Sequence, residues 1–268
     1  MADQKIAVVT GASSGIGRAI TEELAANGFR VFGTVRSAAD LPPGVEKVTL
    51  DVRDAASIAG AVTDILSRAG RIDVLVNNAG GSLVGAIEEA DVSQAQALFD
   101  TNFFGAVRMT QAVLPGMRAQ RSGRILFIGS IAGSLPTPFL GFYSASQHAL
   151  DGYSESLDHE LRRMGIRSVV IEPGFMKTRI DKNSAVAARK IQDYAEGSKR
   201  AGAYARAAVE KGDDPSLVAR KVAEVLKAAH PRLRYPVGKG AAALMKLRRF
   251  MPESLFDRSL RAAFHLDS

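Results

Sequence analysis

The sequence predicts an α/β fold built on a doubly wound, parallel sheet of about seven strands with helices on both faces. Short apolar runs alternate along the chain with longer helical stretches, which is typical of βαβ units. A glycine-rich turn follows the first run. The 268 residues suit one domain, residues 1–268, with a core that needs no disulfide.

Each predicted element has a local signal in the sequence. Short runs rich in Val, Ile and Leu predict strands at 6–10, 30–35, 47–50, 73–76, 124–128, 167–171 and 233–235. Longer stretches predict helices at 18–27, 55–69, 93–117, 142–164 and 215–229, with two short ones within 240–266 separated by Pro252. Gly28 and Gly70 suit the left-handed turn that ends a helix.

Composition narrows the functional classes. The absence of cysteine excludes disulfides and cysteine metal sites and fits a reducing compartment. No apolar stretch approaches the ~20 residues of a membrane helix, so we expect a cytoplasmic protein without stable membrane insertion. The net charge of +7 suits an anionic ligand, or only a solvated basic surface. No nucleic-acid module and no metal-ligand cluster is visible.

A glycine-rich turn joins the first strand to the first helix. Thr10 precedes the sequence GASSGIG at 11–17. Exposed backbone N–H groups and the helix dipole make such a junction an anion site. Turns use glycine for other reasons as well, so the three glycines alone are weak evidence for a phosphate site.

A serine and a tyrosine lie on consecutive elements in the middle of the chain. Ser130 follows the strand at 124–128, and Tyr143 begins the next helix. Gln147 lies four residues after Tyr143, and therefore on the same helix face. This serine and this tyrosine are well placed to bracket one small group.

Together these segments resemble the short-chain dehydrogenases/reductases. The resemblance rests on TGASSGIG at 10–17, NNAG at 77–80, TNFFG at 101–105, Ser130 with YSASQ at 143–147, and PGFMKT at 173–178. It implies a Rossmann fold, a nicotinamide cofactor, hydride transfer at a carbonyl carbon, and homodimers or homotetramers formed through helices 93–118 and 142–164. The stretches RYPVG at 234–238 and LRRFMP at 247–252 resemble the branch of 17β-hydroxysteroid dehydrogenases.

The resemblance implies catalytic roles and exposes one departure. Ser130 would bind the carbonyl oxygen, Tyr143 would exchange its proton, and Asn102 would join the proton relay. The family has a lysine where this chain has Gln147. A free tyrosine titrates near pH ~10, and a neighbouring cation brings it within reach of neutral chemistry. We therefore expect impaired proton transfer, with oxidation, which needs tyrosinate, affected more than reduction.

Two other cations are candidates for the role of the lysine. His148 follows Gln147, but one residue along a helix turns the side chain ~100° away. Lys177 lies in the loop on the cofactor side, and its reach does not follow from the sequence.

The cofactor predicted is NADP(H). The second strand ends at Arg36 with no nearby acid, and a guanidinium pairs with a 2′-phosphate that an acid would repel. An ordinary surface arginine is the alternative. The family resemblance further implies that the pyrophosphate binds to the glycine turn through Gly11, Ser13, Ser14, Gly15, Ile16 and Gly17. It also implies that the cofactor contacts Asp51, Val52, Asn78, Ala79, Gly80, Tyr143, Gln147, Pro173, Gly174 and Thr178.

Two segments allow more than one interpretation. Residues 176–214 are polar, alanine-rich and basic, which suits a lid over the site or an exposed helical insertion. Apolar residues recur at helical spacing within 240–266 and favour packing against the core or another subunit. A basic helix lying on a membrane surface is the less favoured alternative.

We expect an NADP(H)-dependent oxidoreductase that acts on a hydrophobic ketone or secondary alcohol. The residues flanking the predicted site are apolar: Leu135, Phe139, Phe142, Phe175 and Met176. The alternative is a catalytically silent NADP(H)-binding sensor or scaffold.

Overall fold

Strands and helices alternate through the computed structural model, which describes residues 4–37, 39–178, 184–264 and 266. The strands are β1 Ile6–Val9, β2 Arg30–Val35, β3 Val45–Thr49, β4 Val74–Asn77, β5 Ser82–Val84, β6 Gly123–Ile128, β7 Ile166–Pro173, β8 Ser184–Val186 and β9 Arg234–Val237. The α-helices are α1 Gly15–Ala26, α2 Ala55–Ala69, α3 Val92–Phe99, α4 Gly105–Gln120, α5 Gly141–Leu161, α6 Ala195–Glu210, α7 Ser216–Lys227, α8 Ala241–Phe250 and α9 Glu253–Ala263.

Seven strands form one parallel sheet in the order β3-β2-β1-β4-β6-β7-β9. The central strand β1 pairs with β2 on one side and with β4 on the other, so that Val8 lies between Phe32 and Leu75. The strand order reverses between β1 and β4. In a doubly wound sheet, ligands bind at the carboxyl ends of the strands beside this reversal. The predicted Rossmann fold is confirmed.

Two apolar layers cover the sheet, one on each face. Successive strand residues point to opposite faces, so Val8 belongs to one layer and Val9 to the other. The first layer includes side chains of α2, α4 and α5, among them Ile65, Met109 and Leu157. The second includes side chains of α1 and α7, among them Ile20, Leu24, Val218 and Val222. Burial on both faces explains why the strands are nearly continuous apolar runs.

The long helix predicted at 93–117 contains a π-helical turn. Residues Asp100–Phe104 form this turn between α3 and α4. Asn102 lies within it and is buried. Single π turns inside α-helices often occur at functional sites.

A second, small sheet was not predicted. Strands β5 and β8 pair in parallel, with Ser82 opposite Ser184 and Val84 opposite Val186. This pairing attaches the chain before α6 to the segment that follows β4. Residues 179–183 of the predicted lid, and residue 265 of the tail, lie outside the described residues. No helix in the described parts of the chain is long and apolar enough to cross a membrane.

A buried ion pair holds α5 against β7. Asp158 accepts hydrogen bonds from Arg167 Nε at 2.7 Å, from the Ser168 N–H at 3.0 Å and from Arg162. Burial acts to raise the pKa of Asp158, but these hydrogen bonds outweigh it and hold the pKa below its usual range. The pair therefore stabilises the fold above the carboxyl pKa of the unfolded chain, and this contribution is lost as the pH falls through the folded value.

Replacing Asp158 tests the importance of this pair. Asp158→Ala should lower the free energy of unfolding by ~3–5 kcal/mol, because it leaves Arg167 as a buried charge without its partner. Urea unfolding at neutral pH measures the change. The control is Asp64→Ala, because Asp64 pairs with Arg68 and its side chain is 49% exposed; this change should cost less than ~1 kcal/mol. If both variants lost the same free energy of unfolding, the buried pair of Asp158 and Arg167 would be no more important than a surface ion pair.

Candidate active site

A cleft of about 1350 Å³ opens at the carboxyl ends of the central strands. All the residues predicted from sequence to bind cofactor or act in catalysis line it: Gly11, Ser13, Ser14, Gly15, Ile16, Gly17, Arg36, Asp51, Val52, Asn78, Ala79, Gly80, Asn102, Ser130, Tyr143, Gln147, Pro173, Gly174 and Thr178. The fold therefore brings together residues that are separated by most of the chain.

The glycine turn is packed too tightly for side chains at two positions. Gly11 has a φ of +66°, in the left-handed region that favours glycine. A Cβ at Gly17 would lie 2.3 Å from the Gly11 carbonyl oxygen and 2.4 Å from Asn78 Nδ2. Only glycine at position 17 allows the start of α1 to approach the end of β1 this closely.

The segment after β4 holds the glycine turn in place. Asn78 Nδ2 donates hydrogen bonds to the carbonyl oxygens of Thr10 and Gly11, at 2.9 and 3.1 Å. The Thr10 hydroxyl in turn accepts from the backbone N–H groups of Asn78 and Ala79, at 2.9 and 3.0 Å. The sequence motif includes Thr10, but it does not predict that Thr10 binds the segment after β4, because that contact depends on the pairing of β1 with β4.

The amino end of α1 fits a phosphate group. Its N-cap, Ser14, makes no side-chain capping hydrogen bond, and no acidic residue occupies the first turn. The first N–H groups of the helix are therefore available to an anion, and the helix dipole favours negative charge there. Thr178 faces this turn, with its methyl carbon 3.4 Å from the position of a Cβ on Gly15. This cradle fits the pyrophosphate of a dinucleotide.

Arginine side chains mark the opposite end of the cleft. Arg53 binds the Asp51 carboxylate through Nε at 3.0 Å and Nη2 at 2.6 Å. This hydrogen bonding is the main reason that the pKa of Asp51 is lowered to about 2. Arg36 lies on the exposed rim, and its side chain makes no hydrogen bond or ion pair with another described residue. Sequence reasoning missed Arg53, although it follows Asp51 by two positions.

Ser130 and Tyr143 lie together on the reactive side of the cleft. The Ser130 hydroxyl accepts a hydrogen bond from the Ala132 N–H at 3.2 Å, which shapes the turn after β6. Burial raises the pKa of Tyr143 above its ordinary value, while hydrogen bonding with Ser130 acts in the opposite direction and is the smaller effect. Tyr143 is therefore protonated at neutral pH and can donate its proton.

The amide of Gln147 is buried and almost without partners. Gln147 is only 4% exposed. Its Nε2 lies 3.5 Å from the Ser146 hydroxyl, which is long for a hydrogen bond. Its Oε1 has no partner among the described residues. Because buried polar groups are nearly always paired, this amide fits a polar ligand, such as a ribose hydroxyl, in the cleft.

Asn102 is connected to α5 through a serine that the sequence reasoning overlooked. Its Oδ1 accepts from the Gly81 N–H at 2.9 Å, and its Nδ2 donates to the Gly81 carbonyl at 3.0 Å and to Ser146 Oγ at 3.1 Å. Ser146 in turn donates to the Tyr143 carbonyl at 2.8 Å. The π-helical turn and α5 are thus joined directly. The sequence signal for this role of Ser146 was its position immediately before Gln147.

Neither of the two candidate replacements for the lysine reaches the cleft. His148 is exposed, and its Nδ1 lies 2.8 Å from the Ser144 carbonyl oxygen on its own helix. Lys177 is exposed as well, and neither residue is among the described residues that line the cleft. The described basic residues that do line it are Arg36, Arg53 and Arg206.

The apolar wall of the cleft is larger than predicted. Leu135, Phe139, Phe175 and Met176 line it as expected. Phe142 does not; it packs beside Leu83 and Leu98 and borders a separate groove, because it lies on another face of α5. The tail was expected to pack against the core or another subunit, but one side of it forms part of the wall with Leu244, Leu247, Phe256 and Leu260. Helical spacing predicted the apolar stripe but not what it covers.

Comparisons with known proteins agree with this geometry. The family model described as "short chain dehydrogenase" matches residues 5–188. The chain is 34% identical over 260 residues to a Bacteroides thetaiotaomicron protein named 3-ketodihydrosphingosine reductase, covering 96% of this chain and 97% of that protein.

Two solved structures are also similar. A short-chain dehydrogenase from Streptomyces avermitilis is 33% identical, with 100% of both chains covered and a TM-score of 0.85. A Burkholderia phymatum short-chain dehydrogenase/reductase in complex with NAD is 26% identical, with 92% of this chain and 93% of that chain covered and a TM-score of 0.79. The chain therefore belongs to the short-chain dehydrogenase/reductase family of oxidoreductases.

Proposed function

We propose that this protein is an NADP(H)-dependent oxidoreductase that transfers hydride between the nicotinamide and a hydrophobic ketone or secondary alcohol. Tyr143 is its proton donor, and Gln147 weakens its proton chemistry. The main support is that Ser130 and the protonated Tyr143 share one cleft with an open phosphate cradle. The resemblance of the tail to the 17β-hydroxysteroid dehydrogenase branch is part of the proposal.

The residues of the cleft suit a dinucleotide. The N–H groups at the start of α1 would hold the pyrophosphate, Asp51 and Val52 would lie at the adenine, and the unpaired amide of Gln147 would receive a ribose hydroxyl. When bound, the nicotinamide supplies or accepts the hydride. Family membership alone leaves the phosphate preference undecided, because the Burkholderia structure contains NAD. The free guanidinium of Arg36 supports NADP(H).

The proton chemistry of the site favours reduction. The Ser130 hydroxyl donates a hydrogen bond to the carbonyl oxygen, and Tyr143 gives that oxygen a proton as negative charge develops on it. Burial keeps Tyr143 protonated, which is the form that reduction needs. Oxidation needs tyrosinate, and the uncharged Gln147 does not stabilise it.

The shape of the wall supports a substrate with a long aliphatic chain. Apolar side chains continue from Leu135 and Phe175 to Leu244, Leu247 and Leu260 on the tail. Burial of an alkyl chain contributes ~0.8 kcal/mol per methylene. The Bacteroides relative is named as a reductase of 3-ketodihydrosphingosine, and a keto compound is consistent with the proposed substrate class.

The proposal extends to the organisation of the molecule. We expect the chain to work as one domain, with 176–214 as a lid, because α6 contributes Tyr204 and Arg206 to the cleft. We expect a homodimer or homotetramer formed through α3–α5, where Phe104 is 48% exposed beside the groove bordered by Phe142. The cytoplasmic location stays a prediction from the sequence.

The second candidate is a catalytically silent NADP(H)-binding sensor or scaffold. The observation that favours it is the uncharged Gln147 beside a tyrosine whose pKa is raised. Both functions predict binding of the cofactor, and turnover distinguishes them.

Introducing a lysine tests the reductase function. Gln147→Lys should raise kcat for reduction of hydrophobic ketones by NADPH at least ~10²-fold, within the ~10²–10⁴-fold range of general acid catalysis. Gln147→Met keeps a similar length without charge; it should bind NADPH more weakly because the amide is lost, but keep kcat at saturating NADPH near the original value. Tyr143→Phe should be inactive in either background. NADPH affinity, measured by fluorescence titration, separates binding from chemistry. Cofactor binding without turnover, in both the original protein and the Gln147→Lys variant, would favour the sensor.

The pH dependence tests the role of Tyr143. Reduction should be nearly constant between about pH 6 and 9, because Tyr143 is protonated throughout. Oxidation of the corresponding alcohol should still be rising at about pH 10, because the raised pKa of Tyr143 keeps tyrosinate scarce below that pH. Gln147→Lys should move the oxidation profile to lower pH. Initial rates of reduction and oxidation across this pH range measure the effect. If Gln147→Lys shifts both pH profiles equally, Tyr143 is not the group whose protonation distinguishes the two directions.

The choice of cofactor rests on Arg36. Arg36→Ala should weaken NADPH binding about tenfold to hundredfold, because a hydrogen-bonded ion pair is lost, and should leave NADH binding unchanged. Arg118→Ala, which removes an exposed arginine from α4 outside the cleft, should change neither affinity. Equal weakening of NADPH and NADH would refute a 2′-phosphate contact.

A further inference from the structure

We propose that Arg234 is a positioning residue for the active site, because its guanidinium connects the segments that carry Ser130, Tyr143 and the turn at Pro173. The proposal rests on the proposed function, since it concerns how that site is held. Arg234 itself is not among the described residues that line the cleft. It therefore acts through its neighbours and not on the reacting atoms.

Arg234 reaches side chains on three other elements. From β9, its Nη1 lies 2.8 Å from Asp151 Oδ2, 3.4 Å from Glu172 Oε1 and 3.2 Å from Ser134 Oγ. Its Nε also binds Glu155. Asp151 and Glu155 belong to α5, Glu172 to β7, and Ser134 follows the turn that begins at Ser130.

The contact with Asp151 fixes the catalytic face of α5. Tyr143, Gln147 and Asp151 follow one another at intervals of four residues, and therefore lie on one helix face. The ion pair between Arg234 and Asp151 prevents α5 from rotating about its axis, and so sets the direction of the Tyr143 side chain. Asp151 is buried, so solvent screens its ion pair with Arg234 less than it screens a surface ion pair.

The turn that carries Ser130 is folded around the same carboxylate. A Cβ at Gly133 would lie 2.5 Å from Asp151 Oδ2, and one at Gly129 would lie 3.6 Å from Asp151 Oδ1. These two glycines flank Ser130 on either side. The position of the Asp151 carboxylate, which Arg234 holds, thus determines the path of the backbone at Ser130.

The third connection leads to the segment expected at the nicotinamide carboxamide. Glu172 is buried and directly precedes Pro173 and Gly174. Strand β9 pairs with β7 at this point, and the Gly174 N–H donates to the Val237 carbonyl at 2.8 Å. Arg234 thus links the start of this turn to the helix and to the serine.

The balance of charge in this cluster makes it sensitive to pH. The titratable groups facing Arg234 are Asp151 and Glu155 on α5 and Glu172 on β7, and the turn contributes the uncharged Ser134. Burial is the main cause that raises the pKa of Asp151 to about 6 and that of Glu172 to about 7. Both folded pKa values lie above the carboxyl pKa of the unfolded chain, which is ~4. The contribution of these two groups to the free energy of unfolding is therefore fully present below ~pH 4 and is lost as the pH rises through about 6 to 7.

Activity measurements on Arg234 variants test the positioning role. In the Gln147→Lys background, Arg234→Gln should lower kcat at least tenfold, with KM for the ketone and Kd for NADPH changed less than threefold. Arg234→Lys should recover part of the loss, and Arg232→Gln, an exposed arginine nearby, should have no effect. Glu172→Gln should flatten the decline in the free energy of unfolding between about pH 4 and 7, because it removes one of the buried groups whose pKa is raised on folding. An unchanged kcat in folded Arg234→Gln would overturn the proposal.

Hydrogen exchange gives a second readout that does not depend on turnover. Arg234→Gln should accelerate amide exchange in peptides covering 129–134, 143–151 and 171–178 at least tenfold, and leave peptides of β1 to β3 unchanged. Uniform acceleration would indicate a general loss of stability and would overturn the proposal. If no variant turns over a ketone but exchange changes locally, the proposed reaction fails while the positioning role stands. If Arg234→Gln does not fold, the double variant with Glu172→Gln, which restores the charge balance, takes its place in both measurements.

Discussion

The close approach between the turn after β1 and the amide of Asn78 is the constraint on which the site depends. The sheet brings the carboxyl ends of β1 and β4 side by side, and Asn78 satisfies carbonyl groups that the glycine turn would otherwise leave unpaired. A side chain at Gly17 would separate the two. Because α1 starts inside this turn, its uncapped amino end is directed into the cleft. The phosphate cradle thus follows from backbone packing more than from any charged residue.

Charge is distributed unequally along the cleft. Arg36 and Arg53 border the end near Asp51, whereas the other end presents the hydroxyl and amide groups of Ser130, Tyr143 and Gln147. Helix α6 adds Arg206 and Glu210 to the lining. The charged cluster around Arg234 lies behind the Ser130 turn and outside the described lining of the cleft. Charge at one end therefore suits an anionic ligand, and in our proposal the charge behind the other end holds uncharged groups in position. This arrangement suits proton donation by a neutral tyrosine.

The sequence was sufficient for the sheet and for the residues of the cleft, because both are local signals. Apolar runs mark β1, β6 and β7, and the motif glycines mark the turns. The features that were missed depend on contacts between distant segments: the pairing of β5 with β8, the link from Asn102 to Ser146, and the contact of Arg234 with Asp151, 83 positions apart. The direction of Phe142 and the inner edge of the tail were missed for a related reason. Helical periodicity identifies the apolar face of a helix but not the part of the protein against which that face packs.

The unpaired amide of Gln147 has a consequence for the lifetime of the protein. Its Oε1 has no hydrogen-bond partner among the described residues, so a ligand that donates to it adds a hydrogen bond that the protein itself does not supply. A ligand that pairs with it favours the folded state by mass action, in proportion to the logarithm of its free concentration above Kd. The fraction of molecules open to proteolysis should therefore fall as the supply of that ligand rises. Binding at this glutamine would thus protect the folded chain from proteolysis whether or not the protein turns over a substrate.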